Sequence, residues 1–318
     1  MLDYHLHLWP HGQPHATVTV EQVAAYCEQA SAAGVSEIAL TEHLFRFAQA
    51  DGLLAGFWDD DQNAVLRRTM ASYWAEHARA DLDAYVDTVL AAKAAGLPVV
   101  LGLEVDHYAG RMDKVADLLE GYPFDVLLGS VHWLGAWGFD NIDDPVVSAE
   151  WAARDVDDVW ASYADALEEL AASGACDVVA HPDLVKVTGR RPTVADQHHD
   201  RIAEAIAKNG LAAEVSSAGW RKPVAEAYPA PDLLARLATS QVPVTTASDA
   251  HSIADVGAGV ADLRSLLADA GYRSLTAYRD RQAHSVPLPA GPPPMSEREA
   301  SEPMGRAAVA HGRPPEAV

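Results

Sequence analysis

Seven short runs of apolar, often β-branched residues recur along the chain, near Leu2–His5, Glu37–Thr41, Pro98–Glu104, Asp125–Val131, Asp177–Ala180, Leu211–Val215 and Val242–Thr246. Each is preceded or followed by an Ala-rich stretch of helical period, and strands alternating with helices build a parallel sheet or barrel. The helices carry recognisable ends. Thr19-Val20-Glu21-Gln22 reads as a capping box, and the helix it opens runs to Ala33, where Gly34 supplies a left-handed stop. Further helices are expected over Asp81–Ala95, Lys114–Glu120, Asp157–Ala172, Asp196–Asn209, Pro231–Thr239 and Ala261–Ala270. The segment Phe45–Tyr73 lacks a clear period; its aromatic and acidic residues suggest a loop or short-helix cover over one end of the barrel.

From about Pro287 the composition changes to Pro-Leu-Pro-Ala-Gly-Pro-Pro-Pro followed by Ser, Glu, Arg and Ala, which cannot bury a core. The expected organisation is therefore a barrel over residues 1–285 and a Pro-rich disordered tail over 286–318. The chain of 318 residues is long enough for one large α/β domain, and no run is long and apolar enough to span a bilayer. Met-Leu-Asp-Tyr-His at the start has neither a basic nor an apolar leader segment, so no signal peptide is expected. Two cysteines, Cys27 and Cys176, imply no disulfide framework and fit a reducing cytoplasm. The net charge of −23 disfavours nucleic acid and anionic membranes as partners. A small phosphorylated substrate requires local positive charge, such as bound metal, to offset that field. Nothing in the sequence fixes an oligomeric state.

Nearly every expected strand ends in polar residues of the types that bind metal. His5 and His7 end the first, Glu42 and His43 the second, Glu104 the third, His132 the fourth, His181 the fifth, Ser216 and Ser217 followed by Arg221 the sixth, and Asp249 and His251 the seventh. Taken singly, His-x-His is more often a half-exposed strand, and Ser-Asp-Ala-His more often a turn. Their joint placement is the signal, because in a parallel barrel all strand C-termini open on one face. Imidazole and carboxylate donors without thiolate suit Zn, Mn or Fe. Two metals need a bridging carboxylate, for which Glu104 is the central candidate; ions about 3.5–4 Å apart can share a hydroxide and support in-line displacement at phosphorus.

These motifs, in this order, resemble the polymerase-and-histidinol-phosphatase (PHP) family over residues 1–285, with His-x-His, Glu-His, a lone His after a strand, and Ser-Asp-x-His. Gly-Ser-Val-His-Trp-Leu-Gly-Ala-Trp, Ala-His-Pro-Asp-Leu and Ser-Ala-Gly-Trp-Arg-Lys-Pro are similar to segments of its histidinol-phosphate phosphatase branch. The resemblance implies a distorted TIM-like (β/α)7 barrel with a metal site at the strand C-termini, two or three divalent ions, and phosphoester hydrolysis. Carried onto this sequence, His5, His7, Glu104 and Asp249 would hold one ion. Glu104, His132 and His181 would hold a second. His43, His251 and a histidine of the loop after His7 would hold a third. That loop departs from the branch pattern: Pro10-His11-Gly12 comes two residues early and His15 lies four further on, so His11 is favoured and His15 is its rival.

The implied activity is hydrolysis of L-histidinol phosphate by a hydroxide held between metals, with Glu104, Asp249 and His251 at the reacting centre. Arg191 and Arg221 match family arginines and would bind phosphate oxygens, or else pair with surface acids. Trp133 and Trp137 either pack the barrel rim or wall the imidazole, and Asp106 is a candidate acid for the ammonium. Asp183 either orients His181 or is a turn residue. His77, His107, His198, His199 and His284 read as surface histidines. Rival functions are a PHP phosphoesterase acting on a nucleotide or sugar phosphate, and a non-catalytic metal-binding module. An amidohydrolase-type hydrolase would need a carboxylated Lys at a strand end, and none is found there.

Overall fold

The computed structural model describes residues 1–10 and 17–290. The chain opens with strand β1 (Leu2–Leu6), helix α1 (Val20–Ala32) and β2 (Glu37–Leu40). Thr19 caps α1 by accepting from the Gln22 N–H, as its sequence predicts. Two helices follow where a loop or short-helix cover was expected, α2 (Ala48–Leu54) and α3 (Ala64–His77), then α4 (Leu82–Ala94). Asn63 starts α3 by accepting from the N–H groups of Val65 and Leu66, which is why a stretch of weak periodicity still forms a helix. The middle of the chain supplies β3 (Val99–Asp106), α5 (Met112–Leu119), β4 (Val126–Ser130), α6 (Pro145–Ala153), α7 (Val156–Ala172) and the two-residue β5 (Val178–Val179). The last barrel units are α8 (Ala195–Lys208), β6 (Ala212–Ser216), α9 (Pro231–Thr239), β7 (Val244–Ala247) and α10 (Val260–Asp269).

Strands β1 to β7 pair in parallel and in sequence order. The sheet curls until β7 meets β1: the His7 N–H donates to the Ala250 carbonyl at 2.8 Å, and Thr246 Oγ1 donates to the Leu2 carbonyl at 2.7 Å. The fold is a nearly closed, distorted (β/α)7 barrel, and its strands are buried on both faces. Polar side chains are admitted to this core only where a partner compensates them. Asp3 is one such case. Its carboxylate accepts from the Ser248 N–H (2.7 Å), Ser248 Oγ (2.6 Å) and the Gly257 N–H (2.9 Å), tying β1 to the loop after β7.

An antiparallel hairpin, β8 (Ser274–Arg279) and β9 (Gln282–Pro287), lies against the N-terminal ends of the strands. The Tyr278 N–H donates to Tyr4 Oη at 3.4 Å, Arg279 pairs with Glu37, and Arg281 pairs with Asp177 at 3.0 Å. Paired structure thus reaches Pro287, beyond the expected barrel end at residue 285. The remainder of the Pro-rich segment, 291–318, lies outside the described residues. Among the described residues no helix is long and apolar enough to cross a membrane.

Candidate metal centre

Strand alternation sends His5 and His7 to one face of β1, with ring centroids 5.0 Å apart. Glu104 projects from β3 into the same space, and its two oxygens face different donors. Oε2 lies 3.2 Å from His5 Nε2, 3.5 Å from His7 Nε2 and 2.7 Å from His43 Nδ1, whereas Oε1 lies 3.4 Å from His132 Nε2 and 3.1 Å from His181 Nε2. A carboxylate sandwiched in this way has the geometry of a bridge between two cations. Asp249 Oδ1 completes the His5/His7 side, 3.5 Å from His7 Nε2 and 3.9 Å from His5 Nε2. His251 joins His7 and His43 in a further group whose ligand atoms lie within 4.8 Å of one another. The structure thus brings together His5, His7, His43, Glu104, His132, His181, Asp249 and His251. His11 and His15 lie outside the described residues.

Two of the candidate ligand positions sit on unusual backbone. His181 (φ 26°) and Asp249 (φ 51°) occupy the left-handed region that non-glycine residues rarely adopt. Each is held there by a buried carboxylate: Glu214 Oε1 accepts from the His181 N–H at 3.3 Å, and Asp3 fixes Ser248 beside Asp249.

Buried acids also aim the imidazoles. Glu214 Oε2 lies 2.8 Å from His5 Nδ1, and Asp106 Oδ1 lies 2.5 Å from His132 Nδ1. A carboxylate accepting from one ring nitrogen leaves the lone pair of the other pointing at the centre. Glu42 acts on the turn after β1. Its Oε1 accepts from the Leu8 and Trp9 N–H groups at 2.5 and 2.9 Å, and its Oε2 is 3.6 Å from His7 Nδ1. Glu214 is a residue that the sequence reading missed; the signal was available as a lone acid inside the apolar run Leu211–Val215. Replacing Glu214 by Gln should lower metal affinity about 10- to 100-fold with the fold retained, measured by competition against a chelator. Unchanged affinity would mean that packing alone orients His5.

Electrostatics favour cation capture. Burial alone would raise the Glu104 carboxyl, but His5, His43 and His132 hold it well below its ordinary range. Burial pushes the Asp106 carboxyl up to about 6 against the pull of His132. Burial disfavours the His132 imidazolium, yet the charges of Glu104 and Asp106 outweigh it and raise His132 to about 10. Two buried carboxylates therefore favour positive charge beside His132, which a divalent ion would supply. The fit to a metal is direct: His5 Nε2, His7 Nε2, His43 Nδ1 and Glu104 Oε2 are buried and form no hydrogen bond of good geometry among the described residues. Such atoms are costly to bury unless a common partner satisfies them. Nitrogen and oxygen donors without thiolate suit a divalent ion of the Zn, Mn or Fe type.

Above the centre opens a cavity of about 890 Å³, walled by α3, the loop after β4 and the segment after β6. Arg221 lines it; Nη2 donates to the Ser248 and Asp249 carbonyls at 2.7 and 3.3 Å, which keeps the guanidinium next to a metal donor. Arg191 does not line the cavity; it is exposed and pairs with Glu226 at 2.7 Å. Trp133 lines the cavity, while Trp137 is fully buried, 4.9 Å from the Trp151 ring, and packs the rim. Asp106 is spent on His132 inside the barrel, so it is no candidate for a substrate ammonium. Asp183 accepts from the Ala230 N–H at 2.8 Å and pairs with Lys186 at 2.9 Å, with no bond to His181. Four histidines expected at the surface are buried: His77, His107, His198 and His199. Neighbouring elements cover them; His198 and His199, for example, face Trp160 of α7 at about 6 Å. His284 is exposed as expected.

Comparison with known proteins gives a consistent family. Residues 3–218 match the model of the PHP domain. The chain is 35% identical over 283 residues to a protein of Deinococcus radiodurans named a probable histidinol-phosphatase, covering 89% of this chain and 98% of that one. The fold is similar to a structure from Listeria monocytogenes assigned as a histidinol phosphatase, with a TM-score of 0.67 and 20% identity over 82% of this chain and 99% of that one. It is also similar to histidinol phosphate phosphatase from Lactococcus lactis, solved with zinc, L-histidinol and phosphate, with a TM-score of 0.62 and 16% identity over 89% of this chain and 98% of that one.

Proposed function

The chain belongs to the PHP-domain family, and from that premise we propose that it is a metal-dependent phosphomonoesterase that hydrolyses L-histidinol phosphate to L-histidinol and phosphate. The single observation that carries the reading is Glu104, whose two oxygens face two separate histidine sets beneath a cavity that His43, His132 and His181 line and that is large enough for a small phosphate ester. Two or three divalent ions, zinc among the candidates, are part of the proposal; bound at such a centre they activate water and neutralise phosphate charge.

The chain's own residues do the rest. His5, His7, Glu104 and Asp249 hold one position, Glu104, His132 and His181 a second, and His43 with His251 begin a third. Arg221, tethered at Nη2, lines the cavity and is the residue we assign to non-bridging phosphate oxygens. Asp249 and His251, 3.5 Å apart at the cavity floor, are the pair we assign to moving a proton between water and the leaving alkoxide as well as to ligation. A cytoplasmic setting goes with this reading and with two buried free thiols, Cys27 and Cys176.

The test is a phosphatase panel on metal-loaded protein, with histidinol phosphate, phosphoserine, nucleotides and sugar phosphates, run on the wild type and on Arg221→Ala. Histidinol phosphate should be the preferred substrate. Arg221→Ala should lower kcat/KM by about 10- to 150-fold on every ester it still turns over, the size of a lost charge-assisted contact. Equal rates on all esters would remove the histidinol assignment, and no hydrolysis of any would remove the phosphomonoesterase.

A further inference from the structure

Among the described lysines only Lys186 is fully buried. It ends the 3₁₀ turn Leu184–Lys186, which follows His181. An ammonium has three donors and no acceptor of its own. Three acceptors lie within 2.9 Å of this one: Asp183 Oδ2 at 2.9 Å, Glu226 Oε2 at 2.8 Å and the Ala227 carbonyl at 2.6 Å. Arg191 pairs with Glu226 at 2.7 Å from the outer side, so two cations balance two carboxylates. The acceptors come from two loops. Asp183 belongs to the turn after β5, where the Leu184 N–H donates to the His181 carbonyl at 2.9 Å. Glu226 and Ala227 belong to the segment after β6 that carries Arg221, and Asp183 reaches the same segment again at the Ala230 N–H (2.8 Å). A buried ion cluster adds little stability over apolar packing, and its best-attested use is to fix one geometry.

The clasp lies directly behind Arg221. The 3₁₀ turn Ala218–Arg221 packs on Glu226 and Tyr228 so closely that a Cβ at Gly219 would stand 2.0 Å from the Glu226 carbonyl oxygen and 3.0 Å from Tyr228 Cε2. With no slack between them, a shift of Glu226 is passed on to the turn. Tyr228 is bonded to Ser216 through both backbone N–H groups (2.6 and 3.0 Å), and its ring centroid lies 5.2 Å from Lys186 Nζ and 6.3 Å from the His181 ring. Ala225, next to Glu226, has φ 48°, a conformation that a non-glycine residue keeps only where its surroundings hold it. We propose that Lys186 is a positioning residue that sets where Arg221 stands relative to the metal centre, by clasping the segment after β6 to the turn after β5. His181 is held independently through Glu214, and the Arg221 tip through the Ser248 and Asp249 carbonyls. What the clasp adds is the placement of the Arg221 backbone. The inference rests on the phosphomonoesterase reading for phosphate as the ligand of Arg221.

The experiment is a double-mutant cycle read by binding. Inorganic phosphate is titrated calorimetrically into metal-loaded wild type, Lys186→Met, Glu226→Gln and Arg221→Ala, and into the two double variants that add Arg221→Ala to each of the others. Lys186→Met keeps the volume but leaves two carboxylates uncompensated. Glu226→Gln removes one charge at a half-buried position, and it alone decides where Lys186→Met does not fold. Phosphate affinity should fall about 5- to 50-fold in Lys186→Met and about 2- to 10-fold in Glu226→Gln, with metal content at the wild-type level. On the Arg221→Ala background neither change should matter by more than about twofold, because a residue that acts through another adds nothing once that other is gone. Equal losses on both backgrounds, or loss of metal in step with loss of phosphate, overturn the inference. Phosphate binding that Arg221→Ala leaves unaltered also overturns it. Wild type that hydrolyses phosphomonoesters, with a phosphate affinity that neither Lys186→Met nor Glu226→Gln alters, overturns the inference and leaves the phosphatase intact. Protein whose phosphate affinity depends on Lys186 through Arg221 but which hydrolyses no phosphomonoester upholds the inference and removes the phosphatase.

Discussion

Glu104→Gln should reduce turnover by about a hundredfold or more, to near background, while far-ultraviolet circular dichroism stays that of the wild type. The substitution keeps the shape of a side chain that is fully buried in β3, so no cavity opens and the barrel has no reason to rearrange. What it removes is charge. Five imidazoles, those of His5, His7, His43, His132 and His181, approach the Glu104 oxygens within 3.5 Å. An amide can face a cation with its oxygen only, so one of the two histidine sets is left opposite an NH₂ group. Metal analysis of the variant should show a loss of bound ion in step with the loss of rate. Near-normal turnover in Glu104→Gln would reduce Glu104 to an acid at the cavity floor and remove the bridge.

Stripping the protein of metal with a strong chelator should abolish hydrolysis, and adding back a divalent ion should restore it. The same treatment should lower the melting temperature. An ion present at a thousand times its dissociation constant stabilises the folded state by about 4 kcal/mol, which for a domain of this size is a shift on the order of 10 °C. The sign of the pH dependence follows from the ligand chemistry. Imidazoles must be neutral to bind, and the charges of Glu104 and Asp106 favour the protonated form of His132, so an ion competes with protons for it. Reconstitution should therefore become tighter as pH rises from about 6 to about 8, with protons released on binding. Activity that survives complete removal of metal would end the metallohydrolase reading.

The two results bear on how much was readable beforehand. The seven barrel strands were legible because buried parallel strands are short apolar runs, and the candidate ligands because six of those runs, all but the sixth, were followed by His, Glu or Asp. The carboxylates behind the ligands were harder. Glu214 lies inside β6 rather than at its end, and Asp106 looks like a mouth residue until β3 is seen to continue through it. The hairpin of β8 and β9 left no mark because its turn is built from Asp280 and Arg281, both at positive φ (48° and 59°). A glycine or asparagine at those positions would have announced a two-residue turn; Asp-Arg does not. Most of β9 is exposed, so no alternation of apolar residues marked it either. The buried histidines were misread for a related reason. Their environment is made by elements distant in sequence, as with His107 and Glu169, 62 residues apart and 2.9 Å from each other.

The bond between Asp3 and Ser248 spans 245 residues, and the candidate ligands beside it come from the first and last strands of the barrel. During synthesis His5 and His7 therefore emerge long before Asp249 and His251 exist to meet them. A nascent chain released before β7 lacks Asp249 and His251, two of the eight candidate donors, and has no seam between β1 and β7. Completion of the candidate centre then belongs to the final stage of synthesis, after almost the whole described chain has been made. Premature termination anywhere upstream of β7 leaves β1 as an open sheet edge, the kind of unpaired strand that exposes a chain to aggregation.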